Sequence, residues 1–496
     1  VTGSCPLYAA IDLGSNSFHM LIVRELHGSI QTISKVKRKV RLAAGLDEQG
    51  TLSHDAMVRG WQCLSMFAEQ LRDIPAAQIR IVGTATLRKA NNAQQFLEQA
   101  EKILQHDIAI ISGEVEARLI YRGVAFTSSG SGKRLVIDIG GASTELVVGE
   151  QSEAKLLTSL DMGCVTWLNN HFPGGKLSSD AFAQAEAAAK QIIQPVVSDY
   201  RRLGWKTCVG ASGTIQALQE VVQTQGLDER LTMEKLRGIK QQLLAFEHID
   251  DINIPGLLDE RKPVFAPGLA ILIALFEALR IEGLTLAGGA LREGLAYSLI
   301  SQSETSSVRQ RTADSFVQRH QIDAAHAKRV RDCALQLASQ LQPRLSERAR
   351  SLLKWAAMFH EVGLNIEFKK APQHAAYILD HSDLPGFTAA QQHLLSCLML
   401  NQRGPLQLEV LEKQRAIAQE EAICLARLLR IAIIVCMRRT GESVPKVNLS
   451  QAGDDWRLNF PPLWMEDHPL RAAELELEAS EQLSNDLPLS FMEGLC

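Results

Sequence analysis

The sequence predicts a two-lobed α/β protein followed by an all-helical module. Three observations carry this. Strand-like runs alternate with helical patterns from Leu7 to about Ile300. An apolar strand that runs into Asp-x-Gly and small polar residues occurs twice. Its copies are Ile11-Asp12-Leu13-Gly14-Ser15-Asn16-Ser17 and Val136-Ile137-Asp138-Ile139-Gly140-Gly141-Ala142-Ser143-Thr144-Glu145. Residues 308 to about 440, by contrast, read as almost continuous helix.

In chain order, Leu7–Asp12, Phe18–Arg24 and Ser29–Val36 are three predicted strands. Met57, Trp61, Leu64, Phe67 and Leu71 recur at helical spacing, so Ser53–Asp73 is a helix with Ser53 as its cap. Strand Ile79–Thr84, helix Asn92–Gln105, strand Ile108–Ser112 and helix Glu114–Phe126 complete the first lobe. The polar, glycine-rich run Thr127 to Lys133 marks a boundary. The pattern then restarts with strands Leu135–Asp138, Thr144–Gly149 and Ala154–Asp161, helix Ser178–Arg202 and strand Lys206–Gly210. Strand Gly283–Leu286 and helix Ala290–Leu299 follow, and Ser301 to Ser307 is a linker. Predicted helices in the last module are Ala324–Gln342, Glu347–Phe359, Ala389–Asn401 and Glu420–Met437, with brief strands at Lys446–Leu449 and Trp456–Phe460. The domains are therefore 1–127, 128–304 and 305–496.

Composition narrows the class. With 496 residues, 46% hydrophobic, and a mean hydropathy of −0.03, the chain reads as soluble and globular. A net charge of −4 argues against a nucleic-acid coat. Nine scattered cysteines without a C-x-x-C pair fit reduced thiols in the cytoplasm. Val1 to Leu7 lacks the basic and apolar regions of a signal peptide. Val264 to Phe276, the most apolar stretch, is expected to be a buried helix too short to span a bilayer.

Each Asp-x-Gly turn suits a phosphate. Glycine lets backbone N–H groups approach the oxygens, serine and asparagine add donors, and the aspartate can hold a cation. A lone aspartate after a strand is ordinarily turn chemistry, but two copies about a domain apart describe two lobes closing on one phosphate chain. Gly130-Ser131-Gly132-Lys133 is not a P-loop: Arg134 replaces the Ser/Thr, and a strand follows where a helix is required.

Duplicated α/β lobes around a cleft are the architecture of acetate and sugar kinases, actin and heat-shock ATPases, a ribonuclease H-like superfold. Five segments resemble one family more closely. They are Asp-Leu-Gly-Ser-Asn-Ser-Phe-His (12–19), Ser-Gly-Glu-Val-Glu-Ala-Arg-Leu-Ile-Tyr (112–121), Asp-Ile-Gly-Gly-Ala-Ser-Thr-Glu-Leu (138–146), Gly-Ala-Ser-Gly-Thr (210–214) and Gly-Ala-Leu-Arg-Glu-Gly (289–294). Together they resemble the exopolyphosphatase/guanosine pentaphosphate phosphohydrolase family, from Tyr8 into the last hundred residues. Ala142, Ala287 to Ala290 and Ala371 to Ala375 look more like its guanosine pentaphosphatase branch, whereas Trp355 to Leu364 leans toward the exopolyphosphatase branch.

The resemblance implies hydrolysis of the terminal 5′ phosphate of guanosine pentaphosphate in the bacterial stringent response. Polyphosphate is implied as a second substrate, and a cytoplasmic homodimer as the assembly. It places the catalytic glutamate at Glu116, which on its own would be an acid favoured by a helix start after Ser112-Gly113. Glu114, two positions away, points about 200° elsewhere and cannot share the cleft. Mg²⁺ is expected on Asp138 and Glu145, with Asp12 as a second ligand or a water-orienting group. Phosphate is expected at Gly14, Ser15, Asn16, Ser17, Gly140, Gly141, Ser143, Gly210, Ser212 and Gly213. Arg88 matches a family arginine that would fork onto phosphate oxygens. Lys35, Lys37 and Lys39 share one face of a strand, either a solvated edge or a landing strip for a polyanion. Phe359-His360-Glu361 and His374 resemble an HD-type metal site with Glu361 where aspartate is needed. The helical module is therefore expected to keep an HD-like fold without metal, His360 being a packed core residue. A kinase of the same superfold and a non-enzymatic nucleotide sensor are the competing functions.

Overall fold

The computed structural model describes residues 6–26, 29–300, 307–439 and 444–493. The chain divides into two compact units, Val1–Val308 and Arg309–Cys496.

The described residues of the first unit form ten strands: β1 Leu7–Leu13, β2 Ser17–Leu26, β3 Ser29–Lys39, β4 Ile79–Gly83, β5 Ala109–Ile110, β6 Lys133–Ile139, β7 Thr144–Glu150, β8 Glu153–Leu160, β9 Thr207–Gly210 and β10 Thr285–Leu286. Its helices are α1 His54–Leu71, α2 Ala85–Lys89, α3 Ala93–Leu104, α4 Gly113–Thr127, α5 Cys164–His171, α6 Ser179–Leu203, α7 Gly213–Thr224, α8 Met233–Leu243, α9 Lys262–Leu279 and α10 Leu291–Leu299. Two five-stranded sheets result, ordered β3-β2-β1-β4-β5 and β8-β7-β6-β9-β10. In each, the first three strands form an antiparallel meander and the last two join parallel to the central strand. One plan is thus used twice, as the repeated turn predicts.

Burial follows from the strand patterns. Both faces of β1 and β6 are covered, so Ala9 and Ala10 in one and Val136 and Ile137 in the other are fully buried. One sheet buries an outer face against α1 and α3 through Phe18, Phe67 and Phe96. The other buries its outer face against α6 and α9. A third core joins them: Leu21, Val23, Val136 and Val147 pack with Tyr121 and Val124 of α4 and Leu291 and Leu295 of α10. Helices α4 and α10 cross at backbone contact. A methyl built on Gly294 would lie 1.9 Å from Leu119 O, and one on Gly123 would lie 2.0 Å from Ala290 O. This crossing fixes α4, the helix that carries Glu116.

The apolar stretch after residue 260 corrects one expectation. The helical run Asp259–Leu279 is 21 residues long, enough by length and composition to cross a membrane. Pro263 opens α9 and the helix continues through Pro267, so proline did not shorten it. Burial settles its place: 72% of its most apolar window lies inside the molecule, as a core helix.

The second unit continues with α11 Val308–Arg319, α12 Ala324–Ala338, α13 Glu347–Phe359, α14 Ala371–Asp380, α15 Ala389–Leu400, α16 Leu408–Lys413, α17 Gln419–Val435, α18 Trp464–Asp467 and α19 Pro469–Leu483. A small sheet of β11 Asn448–Ala452, β12 Asp455–Phe460 and β13 Leu489–Glu493 closes it. The predicted linker largely coincides with 301–306, outside the described residues. The acidic stretch after residue 466 forms α19, which packs on α17, where Glu478 pairs with buried Arg430 at 2.7 Å and Gln482 accepts from Arg427 at 2.7 Å.

Candidate functional site

The two glycine turns face each other. A methyl built on Gly141 would lie 3.0 Å from Ser15 Cβ and 3.6 Å from Asn16 N. Each turn is braced from behind. Val40 and Arg41 N–H groups donate to Asn16 O, Ala43 N–H donates to Ser15 O, and the Thr86 hydroxyl donates to Ser15 Oγ at 2.8 Å. In the second turn Gly140 N–H donates to Ser143 O, while Cys164 and Val165 at the start of α5 donate to Gly140 O and Gly141 O.

Strand register sets the carboxylates. Asp138 stands opposite Glu145 across the β6–β7 hairpin. In the matching hairpin, Asp12 stands opposite His19. The duplicated frame therefore offers acid with acid in one lobe and acid with imidazole in the other. Glu145 is buried and accepts from the Ser159 hydroxyl at 2.8 Å. Ser112 caps α4, which turns Glu116 inward to 7% exposure and leaves Glu114 exposed.

These groups border one cavity of about 180 Å³. It is lined by Asp12, Gly14, Ser15, Asn16, Ser17, Glu116, Asp138, Gly140, Gly141, Ser143, Glu145, Ser212 and Gly213. Ser212 caps α7, so the N–H groups of that helix end on the cavity. Two of the expected residues are not among those that border it. Gly210 does not line the cavity; it lets β9 approach α7, since a methyl there would meet the Ile215 side chain at 2.6 Å. Arg88 is not among them either; its Nη1 donates to Glu116 Oε2 and to Ile111 O, each at 2.8 Å, which holds the glutamate.

Lys37 of the predicted lysine face lines the cavity, and several further lining residues escape the sequence reading: His19, Thr84, Arg261 and Arg292. His19 and Arg292 sit inside the segments 12–19 and 289–294, whose phosphate signal lies in their acids and glycines. Arg261 had no signal, lying just ahead of an apolar helix. Gly213 is what admits its guanidinium, since a methyl there would lie 2.5 Å from Arg261 Nη1. Lys37 and Lys39 of edge strand β3 pair with Glu260 at 3.6 and 3.7 Å, and Lys35 lies 4.0 Å from Glu293.

Electrostatics gives the cavity its character. Desolvation pushes Asp12 and Asp138 up to about 7, and the Glu116 charge adds to both. Glu145 rises well above the ordinary carboxylate range for the same two reasons. Burial also raises Glu116, opposed by its hydrogen bond to Arg88. His19 falls to about 2 through burial and then the charges of Arg292 and Lys37, so its imidazole is neutral. Asp12 Oδ1 is buried with no hydrogen-bond partner among the described residues. Asp12, Asp138 and Glu145, crowded carboxylates whose ionisation burial and neighbouring acids oppose, form a hard-oxygen donor set fit for a divalent cation.

Backbone amides on two turns, a helix N-terminus and carboxylates short of counter-charge are what a phosphoryl-transfer protein assembles. The comparisons agree. Residues 21–303 match the family model described as "Ppx/GppA phosphatase family", and 308–479 match "Ppx/GppA phosphatase, domain III". The chain belongs to the Ppx/GppA phosphatase family. It is 59% identical over 492 residues to the guanosine-5′-triphosphate,3′-diphosphate pyrophosphatase of Aeromonas hydrophila, covering 99% of both chains. It is 52% identical over 490 residues to the protein of the same name from Vibrio vulnificus, covering 98% of both. Among solved structures, an exopolyphosphatase from Cytophaga hutchinsonii superposes with a TM-score of 0.54 at 22% identity, covering 60% of this chain and 100% of that one. The Aquifex aeolicus PPX-GPPA enzyme gives 0.51 at 23%, with the same coverage. These two likenesses concern the fold.

Proposed function

We propose that this chain hydrolyses the terminal 5′ phosphate of guanosine pentaphosphate to give guanosine tetraphosphate and phosphate. The observation that carries the reading is the placement of Glu116 in one small cavity with two facing glycine turns and Asp12, Asp138 and Glu145. The names of the full-length relatives at 59% and 52% identity support the substrate.

Glu116 takes a proton from water as the water oxygen bonds to the terminal phosphorus. The bond from phosphorus to the bridging anhydride oxygen breaks, and that oxygen remains on the nucleotide. Arg88 opposes the rise that burial imposes on Glu116 and aims its carboxylate. The N–H groups of residues 14–17, 140–143 and the α7 terminus bind the phosphoryl oxygens, where negative charge is spread in the transition state. Arg292 and Arg261 add positive charge at the cavity wall. Asp138, Glu145 and Asp12 would hold Mg²⁺, which supplies charge neutralisation on the phosphate chain.

Polyphosphate is a second substrate in this reading, supported by Lys37, the member of the β3 lysine row that lines the cavity. The lobes, divided at 127/128 and 304/305, are read as ribonuclease H-like, and residues 305–496 as HD-like. The free, mostly buried cysteines support a cytoplasmic setting, and the family resemblance supports a homodimer. A stopped assay of phosphate release from guanosine pentaphosphate, polyphosphate and ATP tests the activity. Guanosine tetraphosphate and phosphate in equal amounts are expected. Phosphate transfer to an organic acceptor, or nucleotide-dependent polymers without turnover, would overturn the reading.

A further inference from the structure

We propose that His326, His360 and Glu361 form a second cation site, within the helical unit, that takes a divalent transition metal and is closed by Arg439 when no metal is bound. The three side chains come from the start of α12 and the end of α13, and one ligand atom from each lies within 4.8 Å of the other two. All three are buried, at 4%, 6% and 9% exposure. Sequence reading singled out His360-Glu361 but not His326, which a different helix supplies. His374, the other histidine singled out there, lies 3.6 Å from Glu367 and is not a member of the cluster.

The atoms are prepared for ligation. His360 Nδ1 lies 2.8 Å from Ala357 O, and since a carbonyl only accepts, that nitrogen carries the proton. Nε2 is left with its lone pair, 4.0 Å from Glu361 Oε1. A backbone carbonyl that fixes the tautomer is how metal-binding histidines are commonly oriented. His326 Nε2 lies 3.9 Å from the same oxygen, and its Nδ1 is buried without a hydrogen-bond partner among the described residues. Tetrahedral bonds of about 2.1 Å place ligand atoms about 3.4 Å apart, so each measured edge closes by roughly half an ångström, a small ring rotation.

Two imidazoles and one carboxylate select zinc, cobalt, nickel or manganese, unlike the all-oxygen set of the cleft. Arg439 supplies the positive charge meanwhile. Both of its Nη atoms reach Glu361, and Nη1 also approaches Asp323 Oδ2 at 3.4 Å. Its side chain is 48% exposed and so can swing away. The cluster opens on a cavity of about 710 Å³, walled by Phe368, Ile433 and Arg403, which leaves room for water or another exogenous ligand at the free coordination positions.

The test uses the full chain, stripped with a chelator and titrated with Co²⁺, read by visible absorption and by metal content after desalting. Six-coordinate oxygen-only Co²⁺ absorbs weakly, whereas a four- or five-coordinate N₂O site absorbs several-fold more strongly. Wild type is expected to show the strong band, and Asp138→Asn to keep it. Glu361→Gln and His360→Asn should lose it. Arg439→Gln, a change at a half-exposed side chain, should move the titration several-fold lower in Co²⁺. Absence of the strong band in both wild type and Arg439→Gln would overturn the proposal. So would a band that Glu361→Gln retains, which decides the case even if His360→Asn does not fold.

Discussion

Replacing Glu116 with glutamine removes a proton acceptor and little else. The amide has the carboxylate's length and volume, so the 7%-exposed pocket gains no cavity. Arg88 keeps its 2.8 Å bond to Ile111 O and can still donate to the amide oxygen. Weakening one charge-assisted hydrogen bond costs about 1 kcal/mol, and relief from burying a carboxylate offsets part of it. Stability should therefore stay within about 1 kcal/mol of wild type. Loss of a general base costs about 10²–10⁴-fold in kcat, or ~3–5 kcal/mol of transition-state stabilisation. Substrate affinity should hold or improve, because one negative charge has left a cavity built for phosphate. Steady-state phosphate release from guanosine pentaphosphate, with binding measured separately, gives both numbers. Glu114→Gln on the exposed side of α4 is the control and should be silent. A kcat within about threefold of wild type for Glu116→Gln, with binding intact, would refute the assignment.

Other changes report on the frame and the rim. Gly294→Ala must force α10 away from Leu119 O, so thermal denaturation should show at least ~3 kcal/mol lost and phosphate release should fall with it. Changing Lys35, Lys37 and Lys39 together to glutamine should raise KM for polyphosphate more than for guanosine pentaphosphate, leave kcat near wild type and flatten the salt dependence of KM. Glu478→Ala leaves the Arg430 charge buried and should cost ~3–5 kcal/mol, read by denaturant unfolding.

Much of the fold was legible because its signals are local. Short apolar runs mark β1, β2, β6 and β7, serine caps mark α1 and α4, and the repeated Asp-x-Gly turn announces the duplicated sheets. Elements without such a signal went unread: α5 lies between two loops, α8 is short and polar, and β13 joins β12 from about thirty residues away. At the site, acids that end strands could be read from position alone. The Arg88–Glu116 bond could not, because its members lie 28 residues apart and only packing brings them together. Arg261 and His326 share that difficulty, each brought to its place by a contact between distant elements.

The central claim is that water, activated beside the two turns, attacks the terminal phosphorus. Turnover of guanosine pentaphosphate in ¹⁸O-labelled water tests this most directly. One labelled oxygen is expected in the released phosphate and none in guanosine tetraphosphate. Label in the nucleotide, with the phosphate unlabelled, would place attack on the other side of the anhydride bridge and contradict the account.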